Sequence, residues 1–145
     1  MSDTSTRLKI VREVSVQADG FYARAEELGN LAARALPAEN QNKRRSQITN
    51  LENIANNALK VTDVVNYLKK QTGKSKPDTG WKMEHLGDSL INMLGLDGAL
   101  ELTSQQICAK LDLTDPVEKQ RIHLLLIREF VRQLTAHYEW KVNQQ

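Results

Sequence analysis

The chain reads as an all-α protein, a single helical bundle of about five helices spanning residues 1–145. Three observations predict this. Apolar residues recur at three- and four-residue steps over long stretches, as they do when one face of a helix meets a core. Seven glycines and three prolines are the only strong breakers in 145 residues, which leaves room for long helices. No segment competes with the two-residue alternation of a half-buried strand. Aromatic residues make up 5% of the chain against 40% hydrophobic residues overall, so the core has to be built from aliphatic side chains.

The first helix is expected over residues 5–36. Leu8, Val11, Val14, Ala18, Phe21, Ala25, Leu28, Ala32 and Leu36 form its stripe. Asp3, Thr4 or Ser5 is placed to cap it, and Pro37 ends it, because a residue before proline is steered away from helix. Gly20 and Gly29 lie inside, each at a cost of about 1 kcal/mol relative to alanine, and point to close packing or a slight bend. The second helical segment covers residues 43–72. Its stripe is Ile48, Leu51, Ala55, Ala58, Val61, Val65 and Leu68, with Thr62 as a candidate cap for a break. Gly73 stands where a C-terminal glycine belongs, after Lys69 and Lys70, whose charges suit a helix C-terminus.

After the loop GKSKPDTG, a third helix is expected over residues 81–94 with Trp81, Leu86, Leu90, Ile91 and Leu94 inward. GLDG at 95–98 is a turn. Thr103 with Gln106 has the spacing of a capping box for a short helix over 104–111. Asp115, Pro116 and Glu118 supply a cap, a proline at the first helical position and an acid in the first turn for a last helix over 116–142. That helix carries Leu124, Leu125, Leu126, Ile127, Phe130, Val131, Leu134 and Tyr138. So wide an apolar face belongs either to the centre of the bundle or to a helix covered by a partner.

One cysteine, Cys108, excludes an internal disulfide framework and suits a reducing compartment. The start MSDTSTRLKI lacks the apolar stretch of a secretory signal, and no apolar run approaches the ~20 residues of a membrane span. A cytoplasmic location follows as the expectation. His85, His123 and His137 have no second ligand at helical spacing, and Cys108 has no CxxC partner, so no metal site is expected. GKSKPDTGWK lacks the order of a phosphate-binding loop, and no serine sits in a nucleophile elbow. The carboxylates form no acid–base pair. The expectation is a protein that is not an enzyme, with no cofactor and no small-molecule substrate.

Charge is the informative property. Residues 43–76 hold eight Lys/Arg against two acids, a net of +6, while residues 1–42 and 77–145 are mildly acidic, so the overall +2 conceals a basic middle. A local positive field attracts polyanions even where net charge is small. Lys43, Arg44 and Arg45 stand at one end of the second helical segment, and Lys69, Lys70, Lys74, Lys76 and Lys82 at or beyond the other. On a continuous helix the clusters would be roughly 40 Å apart and would track a strand. Between them a polar stripe includes Asn53, Asn57 and Lys60, whose amides and ammonium suit phosphate or sugar oxygens without reading sequence. The alternative for each feature is a solvated helix face. With only Tyr67 and Trp81 near the clusters, backbone contact outweighs base stacking.

The stretch RSQITNLENIANNALKVTDVVNYLKKQTGK, then a GW-initiated helix and a long apolar helix ending REFVRQLTAHYEWK, resembles the small subunits of CRISPR effector complexes. The likeness covers roughly residues 40–142 and is greatest to the helical small subunit of the cyanobacterial type I-D complex, with type III small subunits as relatives. The resemblance implies a non-catalytic antiviral subunit. It would pack against other subunits of the complex, including further copies of itself, and contact guide RNA and the target or displaced DNA strand. It also implies that the chain is an internally translated part of a larger subunit. By character rather than residue identity, Arg44, Arg45, Lys69, Lys70, Lys74 and Lys76 match the strand-contacting positions, and Leu125 and Phe130 would pack against a partner. Two alternatives stand beside it. One is a protein-interaction bundle without nucleic-acid contact. The other is a helix-turn-helix regulator built from Gln105–Leu111 and the helix starting at Pro116.

Overall fold

The computed structural model describes residues 4–36 and 41–144, with side chains from Gln47 onward in the second stretch. Among these residues there are seven α-helices and no strand: α1 (Thr4–Asp19), α2 (Tyr22–Ala35), α3 (Gln41–Asn57), α4 (Val61–Lys74), α5 (Leu86–Leu94), α6 (Ala99–Lys110) and α7 (Pro116–Val142). A 3-10 turn, Gly80–His85, precedes α5. The fold is the all-α bundle expected, with two of the long helices each divided in two.

The first division falls at Gly20. The expected helix over 5–36 stops at Asp19 and restarts at Tyr22, with the amides of Gly20 and Phe21 bonded back to Gln17 and Ala18. The apolar stripe survives the break from Val14 to Leu36, but Leu8 and Val11 are exposed, and Ile10 takes the inward position on α1 instead. Gly29 does what its position suggested. A Cβ there would stand 2.7 Å from His137 Cβ and 2.9 Å from the Leu134 carbonyl oxygen. With Ala25, Ala32 and Ala33 fully buried around it, α2 crosses α7 at close range.

The second division falls at Ala58–Lys60, near the expected Thr62, and Lys60, two residues earlier, holds the N-cap position of α4. Ile48, Leu51, Ala55, Ala58, Val61, Val65 and Leu68 are all buried, so the predicted stripe is correct on both sides of the break.

The third helix also differs. Residues 80–85 form the 3-10 turn, and Glu84 (φ 47°) and His85 (φ 61°) are left-handed, so α5 begins only at Leu86. The GLDG turn is present, with Asp97 left-handed and its amide donating to Glu101 Oε1 at 2.6 Å. The capping box at Thr103 is not used: α6 begins at Ala99, and Thr103 donates back to the Ala99 carbonyl inside the helix. Asp115 does cap α7, accepting from the Val117 amide at 2.9 Å, with Pro116 at the first helical position.

α7 is the axis of the molecule. It packs against α1, α2, α3, α4 and α6. Ile122, Leu126, Ile127, Phe130, Leu134 and Tyr138 are fully buried along it, and Tyr138 donates its hydroxyl to the Leu36 carbonyl at 2.8 Å. Its wide apolar face is therefore covered largely from within the chain. Apart from Ala18, the buried apolar residues described form one continuous cluster. No described helix is long and apolar enough to cross a membrane.

Candidate nucleic-acid interface

The break at Ala58–Lys60 turns α4 back along α3, and Gln47 fixes the result. Its carbonyl oxygen accepts from Tyr67 Oη at 2.9 Å, and its side-chain Oε1 accepts from Trp81 Nε1 at 2.6 Å. The two rings meet edge to face with centroids 6.4 Å apart. On a continuous helix the twenty residues from Gln47 to Tyr67 would span about 30 Å. The expected 40 Å ruler of charge is thus replaced by a hairpin. Its open end joins the first turns of α3, which carry Lys43, Arg44 and Arg45, to the last turns of α4. The side chains of those three residues lie outside the described residues.

The segment after α4 is pinned as well. Ser75 caps the helix, donating its hydroxyl to Gln71 and accepting the Trp81 amide, both at 3.1 Å. Thr79 donates to the Lys76 carbonyl at 2.8 Å, and the Trp81 side chain is buried. Asp78 and Gly80 are left-handed, and a side chain at Gly80 would press on Ser75 Oγ. Gly87 lets α5 lie directly on Thr72 of α4. This frame holds Lys69, Lys70, Lys74 and Lys76 exposed and Lys82 half-exposed. None of the five has an ionic partner among the described residues. Asp78 is the sole acid between Val64 and Met83, and Glu84 is already engaged by Arg34 at 2.8 Å.

The remaining predicted contacts sit elsewhere. Asn53, Asn57 and Lys60 are exposed at the linker end of the hairpin, separated from the lysine cluster by most of the roughly 20 Å length of α4. The Asn57 amide is spent on its own helix, donating to the Asn53 carbonyl at 2.7 Å. These residues do not bridge the two basic clusters. Phe130 is fully buried, edge to face with Phe21, and so does not face a partner. Leu125 is only partly covered. It lines a surface cavity of about 340 Å³ with Ala58, Leu59, Val117 and Leu124. Leu59 is 84% exposed and Val117 64%, a signal that exposed apolar residues outside the core stripe could have given. Arg128 lines the same cavity and donates to the carbonyls of Ala55 (2.9 Å) and Ala58 (3.2 Å), closing the C-terminus of α3.

Among the described residues no three His, Cys, Asp or Glu side chains converge as metal ligands. Burial pushes the Cys108 thiol up, away from the reactive thiolate. Burial also lowers the pKa of His123, whose Nε2 lies 2.8 Å from the Leu94 carbonyl. In the helix-turn-helix alternative the second helix would be α7, which carries Asp115 at its N-cap and Glu118 in its first turn, acids that repel phosphate, and is buried at Ile122, His123, Leu124, Leu126 and Ile127. No family model, curated protein or solved structure matches the chain.

Proposed function

We propose that this chain is a non-catalytic helical subunit of an RNA-guided antiviral complex, holding a nucleic-acid strand through the open end of the α3–α4 hairpin. The observation that carries the reading is a set of lysines on pinned backbone with no ionic partner among the described residues, Lys69, Lys70, Lys74, Lys76 and Lys82. Five cations brought together on pinned backbone repel one another, and a phosphodiester strand relieves that repulsion while releasing its counterions. The geometry favours a compact contact of a few phosphates over a long track. The contacts are backbone contacts, independent of base sequence.

The test is charge reversal of Lys69, Lys70, Lys74 and Lys76 to Glu, with folding checked by circular dichroism. Binding of a labelled single strand at low salt, and recovery of guide RNA with the complex purified from its host, are expected to be lost. Unchanged binding in the folded variant overturns the reading.

A second reading is supported by the cavity beside Leu125. Exposed Leu59 and Val117 at the linker end offer a neighbouring subunit an apolar contact at the opposite end of α4 from the lysines. Leu125→Asp would then release the chain from its complex and leave free-chain strand binding intact.

A further inference from the structure

Six of the seven glycines have a steric reason to lack a side chain: a Cβ at Gly20, Gly29, Gly80, Gly87, Gly95 or Gly98 would meet neighbouring atoms within 4 Å. Gly73 has none. A Cβ there would meet nothing within 4 Å, and its φ is not in the left-handed range. Nor is it the C-terminal glycine its position suggested, because α4 continues through Lys74 and ends on Ser75 with φ −73°. Gly73 is the next-to-last residue of α4, where glycine is still less favourable than alanine though by less than in a helix interior, and nothing inside the chain requires it.

Its surroundings indicate what the gap serves. Asn66, Lys70 and Gly73 follow one another at helical steps on the outer face of α4, and Lys69, Lys74 and Lys76 flank them, all exposed. An exposed, side-chain-free backbone position with four exposed lysines within four residues of it in sequence is a surface on which a polyanion chain can lie close to the helix. We propose that Gly73 is the point of closest approach of a sugar–phosphate backbone, with Lys69, Lys70, Lys74 and Lys76 neutralising its phosphates and Asn66 offering an amide to a phosphate or sugar oxygen. The proposal deepens the function proposed above and rests on it. It adds a shape requirement to a charge requirement.

The two requirements separate experimentally. Gly73→Ala and Gly73→Leu leave every charge in place and add side chains where the chain itself has room. Both variants are expected to raise Tm slightly, by up to about 2 °C, because the helix-interior gain of roughly 1 kcal/mol is reduced one residue from the helix end. Both are expected to weaken binding of a labelled oligo-dT strand, by about threefold for Ala and about tenfold for Leu, with the salt dependence unchanged. Lys70→Gln with Lys74→Gln should instead reduce the salt dependence itself. If the Gly73 variants bind like the native chain while the lysine variants lose affinity, the close-approach proposal fails and the strand-binding reading stands. If the lysine variants also bind normally, both fail.

Discussion

The hydroxyl of Tyr67 donates to the carbonyl oxygen of Gln47 across 2.9 Å, between two residues that a continuous helix would hold far apart. The same glutamine accepts the Trp81 indole at 2.6 Å. One residue thereby ties together α3, α4 and the 3-10 turn, the elements that carry the lysine cluster. Tyr67→Phe should destabilise the fold by about 1 kcal/mol, the net value of one hydrogen bond. Gln47→Leu should cost about 1–3 kcal/mol, because the buried Trp81 N–H loses its acceptor. Urea denaturation followed by tryptophan fluorescence measures both. Equal, negligible effects would show that the tie is not stabilising.

Alkali should loosen the same joint. Burial raises the Tyr67 hydroxyl from 10.0 to about 12, so the fold favours the neutral phenol. Its contribution is intact below pH 10 and is lost as pH rises toward 12, where the unfolded chain has already released the proton. A denaturation series over that range should show the loss in the native chain and a smaller one in Tyr67→Phe.

Acid acts on His123 with the opposite sign. Desolvation lowers its pKa below the usual 6.5, partly opposed by the Leu94 carbonyl and Glu101. The unfolded chain therefore binds a proton first as pH falls, and stability declines from about pH 6.5 until the folded-state pKa is passed. His123→Gln, which keeps a donor for Leu94, should flatten that part of the stability profile. An unaltered slope would assign the acid sensitivity to the carboxylates.

Arg128 tests whether the hairpin linker depends on a guanidinium fork. Its two hydrogen bonds reach carbonyls three residues apart at the end of α3. Arg128→Ala should cost about 1.5–3 kcal/mol. Arg128→Lys should recover only part of this, since an ammonium donates from a single nitrogen and cannot reproduce the spaced fork of Nε and Nη2.

Gly29→Ala should destabilise by about 1–3 kcal/mol, because the new methyl meets His137 Cβ and the Leu134 carbonyl at less than contact distance. Thermal melts of this variant beside Gly73→Ala give opposite shifts from the same substitution in the same protein.

The periodicity of the sequence reports which residues face the core, and it did so well from Val14 to Tyr138. It reports breaks poorly, for a physical reason. α3 and α4 both turn their apolar faces to one core, so Ile48 to Leu68 stays in phase through a reversal of direction. The same holds across Gly20. Caps were legible where a proline fixed the frame, as at Asp115, and misleading at Thr103, where the same pattern lies inside a helix. The lysines after Val65 were legible as a cluster. Their gathering at the open end of a hairpin depends on Gln47, Tyr67 and Trp81 meeting across long stretches of chain, and spacing carries no trace of that.

Every helix that leans on α7 precedes it in the chain. During synthesis Ala25, Leu28, Ala32, Leu51 and Ala55 leave the ribosome before the surface that covers them exists. The early helices emerge as adhesive, marginal segments, dependent on contacts that are distant in sequence. Folding should therefore be completed late and abruptly: nascent chains stalled before Ile122 should remain open to protease, and chains carrying Tyr138 beyond the exit tunnel should become resistant in a single step.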